Sequence, residues 1–331
     1  QFSGGEPTIH PQILDMIQAA KDRGIRQVMI NTNGVRIARD DRFLEGLAKL
    51  NPVVYFQFDG LRSETYQTLR GEDLLDLKMR ALDRLNDAGL DAVLVAAVER
   101  GVNEDEVGPI IEFGLKHPAV RGVVLQPVTH VGRHIEFDPM QRVTIPDVIH
   151  GIVDQTNGRF VLEDFVPVPC CFPTCQVNSY VFVDGDNVVP LPRMLDIDQY
   201  LDYITNRALP KPPNAADVQK ALEGLWSASA VPGTEKAAGN FQCACGPGMD
   251  LGYELSHLKD HIFQIAIKDF LDAYTFSVKQ VMKCCVGIIV PDGRIIPFCA
   301  YNSVGYRESV REQLTVEQAK SARPVKLQSK V

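Results

Sequence analysis

At 331 residues, with 45% apolar and 23% charged content, the chain reads as an ordinary globular protein. It is long enough for two domains of roughly 100–200 residues each. The formal net charge of −8 argues against nucleic-acid phosphate as a partner, which would call for a basic footprint, and no apolar run approaches the roughly 20 residues of a spanning helix.

The chain opens on Gln1-Phe2-Ser3-Gly4-Gly5-Glu6-Pro7-Thr8, a strand end followed by a glycine turn and an acidic residue. Glycine carries no Cβ, so this turn lets backbone approach a ligand closely. Its amides and the Glu6 carboxylate suit a charged amino group. The first helix spans about residues 11–23, with Ile13, Leu14 and Ile17 on one face and Gly24 as its stop. A strand over residues 26–31 ends in Asn31-Thr32-Asn33-Gly34. A helix near 42–50 leads to a strand at 53–58 ending in Asp59-Gly60. A longer helix at about 74–88 precedes a strand at 92–98. Asn103 is then expected to cap a helix whose first turn carries Glu104, Asp105 and Glu106, as the helix dipole favours. A strand at 122–127 closes the series.

This alternation predicts a parallel sheet with crossover helices over residues 1–150. A six-strand partial β/α barrel lacking its first unit fits the count, as does a doubly wound open sheet. Residues 151–331 have another texture. A proline- and cysteine-rich stretch at 166–175 precedes a hairpin around Asp184-Gly185, and a second hairpin is expected around Asp292-Gly293. Between them lie a polar Pro/Ala-rich stretch at 210–216 and a long helical pattern whose apolar face is Leu255, Leu258, Ile262, Ile265 and Phe270. The tail from 321 to 331 is expected to fray.

The first 169 residues have no cysteine; Cys170, Cys171, Cys175, Cys243, Cys245, Cys284, Cys285 and Cys299 follow. Short spacings on loops present several sulfurs to one site, which suits metal ligation. A disulfide framework is one competitor. Tetrahedral zinc, held by Cys171-x3-Cys175 or Cys243-Ala244-Cys245, is another. Polar groups also recur at the carboxyl ends of the expected strands, where β/α folds keep their ligands. They are Gly4, Gly5 and Glu6, then Asn31 and Asn33, Gln57 and Asp59, Glu99, and Gln126. His130 and His134 read as hydrogen-bonded or solvated loop residues, and no catalytic side chain is assigned.

In this combination the chain resembles the radical S-adenosylmethionine (radical SAM) enzymes. Their Gly-Gly-Glu motif holds the methionine amino group of the cofactor, and the turn at Gln126–Arg133 is similar to the one beside its adenine. Within that superfamily, Cys170-Cys171-Phe172-Pro173-Thr174-Cys175, Pro190-Leu191-Pro192-Arg193, Cys284-Cys285-Val286-Gly287 and the run from Pro297 to Asn302 resemble the tetraether lipid synthase group. The resemblance implies a partial radical SAM barrel followed by a cysteine-rich α+β domain with β-hairpins. It implies reductive cleavage of S-adenosylmethionine by a [4Fe–4S] cluster, hydrogen abstraction from an unactivated carbon by the 5′-deoxyadenosyl radical, and coupling of alkyl chains of membrane lipids. The eight cysteines would hold one or two auxiliary [4Fe–4S] clusters. Implied partners are a small-molecule or lipid substrate and a reduced ferredoxin- or flavodoxin-type electron donor. The implied location is cytoplasmic, with peripheral membrane contact. Rival readings are a radical SAM peptide-modifying maturase and a zinc-stabilised α/β binding protein. The family's Cys-x3-Cys-x2-Cys loop and its upstream mononuclear-iron module are absent, and Cys171-x3-Cys175 continues to Asn178. The chain is therefore expected to begin inside its catalytic domain and to be inactive by itself.

Overall fold

The computed structural model describes residues 1–131, 138–168, 172–193 and 261–321. Its centre is a sheet whose parallel strands are β1 (Met29–Thr32), β2 (Val53–Gln57), β3 (Ala92–Val98) and β4 (Val120–Pro127), in that spatial order. A parallel bridge from Phe2 to Ile30 adds the chain start to the β1 edge. Helices α1 (Ile13–Asp22), α2 (Val35–Arg39), α3 (Asp41–Leu50), α4 (Ser63–Arg70), α5 (Leu75–Asp87) and α6 (Val107–Lys116) make the crossovers. Parallel neighbours require such long connections, and helices fit them.

Local chemistry fixes several boundaries. The Asp40 carboxylate accepts the Phe43 N–H at 3.0 Å to start α3, and Asn51 ends it in the left-handed region at φ 44°. Helix α7 (Ile145–Gln155) starts with a Thr144/Asp147 capping box. Asn103 does not cap a helix, contrary to expectation, and α6 begins only at Val107. Its side chain ties strand ends together instead: Oδ1 accepts from Glu99 N–H at 2.9 Å, and Nδ2 donates to the Asp59 and Ala97 carbonyls at 2.7 Å each.

The second half joins the same sheet. Strand β8 (Ile262–Lys268) pairs parallel with β4 and antiparallel with β6 (Gln176–Asp184). Strands β5 (Val166–Pro167) and β7 (Asn187–Pro190) flank β6 antiparallel. The expected hairpins form: β6 and β7 turn at Asp184-Gly185, and β9 (Gly287–Ile289) and β10 (Ile295–Pro297) at Asp292-Gly293. Helices α8 (Val278–Met282), α9 (Phe298–Ser303) and α10 (Tyr306–Ser321) surround the second hairpin.

The long helix expected through Ile262, Ile265 and Phe270 is corrected here, because Ile262 and Ile265 lie in a strand. The spacing of three and four mimicked a helix, while Phe263, Ile265 and Ile267 alternate with period two. Ile262 and Ala266 add apolar residues to the face that carries Gln264 and Lys268, so the alternation is masked. Leu255 and Leu258 lie outside the described residues.

Alternation gives the sheet two unlike faces. Ile30, Val54, Phe56, Leu94, Leu125 and Ile265 are fully buried against the helices, in one apolar cluster with Ile17, Leu47, Leu82 and Ile111. The opposite face carries Asn31, Tyr55, Gln57, Gln126, Gln264 and Asn178, placed there by the register. All but Asn178 are half-buried. By the same register Val93, Val95, Val124 and Ala266 share that face, which therefore mixes polar and apolar side chains.

Candidate active site at the carboxyl edge of the parallel strands

The first strand end delivers Gly4 at φ 142°, a conformation that L side chains rarely adopt, followed by Gly5. A Cβ on either residue would meet nothing within 4 Å, so the turn is open on the side a ligand would use. Glu6 anchors it. Glu6 Oε1 accepts from Thr8 N–H at 3.0 Å, Thr8 Oγ1 at 2.6 Å and Thr32 Oγ1 at 2.8 Å, while Oε2 accepts from Asn33 N–H at 2.7 Å. The carboxylate thus joins the first strand end to the second and commits both oxygens to the protein's own donors.

At the second strand end, Asn33 Oδ1 accepts the Val35 N–H at 3.0 Å and starts α2. Asn31 Nδ2 lies 3.4 Å from Ser3 Oγ, beside the glycine turn. Gly34 has φ 79°, and a Cβ there would fall 2.2 Å from the Phe56 ring. The loop rests on that ring because residue 34 has no side chain.

At the third, Asp59 is fully buried and receives a bidentate pair of bonds from Arg70 at 2.7 and 2.8 Å, with Ala97 N–H at 3.0 Å. The Gln57 amide oxygen, turned to Arg70, lies within 2.6–2.9 Å of the three guanidinium nitrogens. Asp59 is therefore structural, while Gln57 stands at the junction of that ion pair and the strand face opposite the helices. Glu106 does similar work in the neighbouring loop: its oxygens accept from Leu61 N–H at 2.5 Å, Arg62 Nε at 3.0 Å and Thr65 Oγ1.

Glu99 follows β3 and leaves its carboxylate without an ion-pair partner among the described residues. Gln126, on β4, bonds the Tyr55 phenol; burial pushes that phenol's pKa up and the Gln126 bond partly opposes the shift. After β4, His130 N–H donates to Asp272 at 3.2 Å, and Arg142 pairs with the same fully buried carboxylate. This stitches the β4 loop to the β8 loop. Gly132, Arg133 and His134 lie outside the described residues.

Beyond β8, Lys268, Asp269, Cys175, Cys284, Cys285 and Cys299 line one small cavity. The second hairpin delivers three of these sulfurs, Cys284 and Cys285 before it and Cys299 after it, its ends tied by Phe298 N–H to the Val286 carbonyl at 2.9 Å. Leu271 N–H donates to Cys299 Sγ at 3.3 Å, and Cys284 Sγ donates to the Val286 carbonyl at 3.2 Å. Burial pushes the Cys175 and Cys299 thiols up, and Lys268 opposes this. Burial also raises Asp269 to about 6, against the pull of Arg142. Among the described residues no three His, Cys, Asp or Glu side chains surround one metal position. Cys170, Cys171, Cys243 and Cys245 lie outside them.

Sequence reasoning missed Tyr55, Arg70, Lys78 and Lys268. The Tyr55 side chain was readable, standing two residues before Gln57 in a strand and so on the same face. The two helix-borne cations had no signal, because only the crossover geometry brings them over the strand ends.

The profile of the Radical SAM superfamily matches residues 1–114. The chain is 31% identical over 367 aligned positions to 7,8-dihydro-6-hydroxymethylpterin dimethyltransferase of Methanocaldococcus jannaschii, covering 96% of this chain and 68% of that protein. It is 35% identical over 131 residues to the GTP 3′,8-cyclase of Chlorobaculum tepidum, covering 38% of this chain and 39% of that one. A probable GTP 3′,8-cyclase of Methanothermobacter thermautotrophicus is 32% identical over 127 residues, or 38% of this chain and 40% of that one. Among solved structures, a domain of pyruvate-formate lyase-activating enzyme from Bacteroides vulgatus superposes with a TM-score of 0.35 at 19% identity, over 46% of this chain and 92% of that one. That superposition is too loose to carry an argument. Neither the profile nor these relatives belong to a tetraether lipid synthase, so the comparisons extend the likeness only as far as the superfamily. On its sequence matches the chain belongs to the radical SAM superfamily.

Proposed function

We propose that the carboxyl edge of the parallel strands binds S-adenosylmethionine, with Gly4 and Gly5 giving backbone access and Gln57, Glu99 and Gln126 facing the cofactor and substrate. The observation that carries this reading is the open glycine turn, which a Cβ would enter without touching the protein. Glu6, bonded to Thr32 and Asn33, acts in this reading by holding the turn. Bound together, S-adenosylmethionine and a [4Fe–4S] cluster supply radical chemistry at an unactivated carbon, which no side chain provides alone. The electrons would come from a reduced ferredoxin- or flavodoxin-type donor.

The substrate in this reading is a polar heteroaromatic small molecule, and the reaction its alkylation. The pterin relative supports this over alkyl-chain coupling. Cys175, Cys284, Cys285 and Cys299 are of the donor type that an auxiliary iron–sulfur cluster takes. Cluster assembly would have to draw them together.

Gly5→Val tests the cofactor reading. The substitution has room in the fold, so it should abolish S-adenosylmethionine binding in calorimetric titration while the melting temperature holds. Unchanged affinity would place the cofactor elsewhere.

A further inference from the structure

Lys78 enters from the first turns of α5 and is fully buried, rare for an ammonium. No carboxylate pairs with it among the described residues. Its Nζ donates to the Asn33 carbonyl at 2.7 Å and stands 5.4 Å from the centre of the Phe56 ring. The charged groups facing it are Asp59 at the end of β2, Arg70 of α4 and Glu6 of the glycine turn. Asp59 is already held by Arg70. Asn33 is therefore clamped by opposite charges: its N–H donates to the Glu6 carboxylate and its carbonyl accepts from Lys78.

We propose that Lys78 is a positioning residue that fixes the Asn33 peptide and, through Glu6, holds the Gly4–Gly5 turn in the shape that binds S-adenosylmethionine. This rests on the cofactor reading above. Packing alone gives no reason for an ammonium here, because a buried charge costs free energy that an apolar side chain of similar length avoids. Burial lowers the Lys78 pKa to about 8, with Asp59 opposing. The ammonium is thus complete below that pH and is lost as pH rises through it. Binding that depends on the charged clamp should follow the same course.

The test is calorimetric titration of S-adenosylmethionine into reconstituted, unreduced holoenzyme across pH, for wild type, Lys78→Met, Lys78→Arg and Gly5→Val. Lys78→Met should weaken binding about tenfold or more near neutral pH. Wild-type affinity should fall by up to about tenfold per pH unit above the Lys78 pKa, the slope of one required proton. Lys78→Met should lack that component, and the difference between the two curves removes the ligand's own amino group. Equal affinities and equal pH profiles would overturn the proposal. If Lys78→Met also lowers the melting temperature, Lys78→Arg decides. A cation that restores affinity upholds the role, and a folded Lys78→Arg that binds no better than Lys78→Met overturns it. Unchanged affinity in Gly5→Val would instead remove the cofactor reading itself, leaving the two failures distinct.

Discussion

Replacing Arg70 by Met asks what holds the third strand end. Asp59 is fully buried and takes two bonds from Arg70, so the substitution leaves a carboxylate with the Ala97 N–H as its remaining donor. Removing one partner of a buried ion pair costs about 3–5 kcal/mol. The Arg70 side chain is 31% exposed and so partly hydrated, which puts the expected loss near the lower bound, about 3 kcal/mol. Asp59→Asn should cost less, because Arg70 can turn to water. The double variant Asp59→Asn with Arg70→Met should recover some of the loss, giving a coupling energy of at least about 1.5 kcal/mol, as residues in direct contact do. Equilibrium urea unfolding of the four proteins at neutral pH measures it. An Arg70→Met loss under about 1 kcal/mol, with no recovery in the double variant, would refute the assignment of Asp59 as a buried, paired charge.

Two further substitutions probe how the strand ends are held. Gly34→Ala combines left-handed strain of about 1–2 kcal/mol with overlap against the Phe56 ring, worth about 1–3 kcal/mol. In a Phe56→Leu background Gly34→Ala should cost the strain alone, read by thermal unfolding of wild type, both single variants and the double variant. Ile265→Ala should cost about 2–5 kcal/mol, as expected for a fully buried residue of a central strand, and urea unfolding within about 0.5 kcal/mol of wild type would contradict the placement of β8.

The sequence by itself determined the elements whose signals are local. Strand β3 is legible as an apolar run between turn residues, α3 as the helix expected near 42–50, and the two hairpins by their Asp-Gly turns. The glycine turn was legible too, since absence of a Cβ is a property of the residue and needs no partner. Only the tertiary structure decided the rest. Strand β8 looked helical because Ile262 and Ala266 mask the alternation of Phe263, Ile265 and Ile267, and its place between β4 and β6 depends on pairings far apart in the chain. The roles of Asp59 and Asn103 turned on which backbone groups folding brought beside them, so Asp59 became half of a buried ion pair and Asn103 a tie between strand ends. Lys78 carries no signal in a helical pattern, where a lysine ordinarily faces water. It is the crossover of α5 that lays its ammonium over Phe56 and onto the Asn33 carbonyl, because a parallel sheet must pack its helices against the strands they connect.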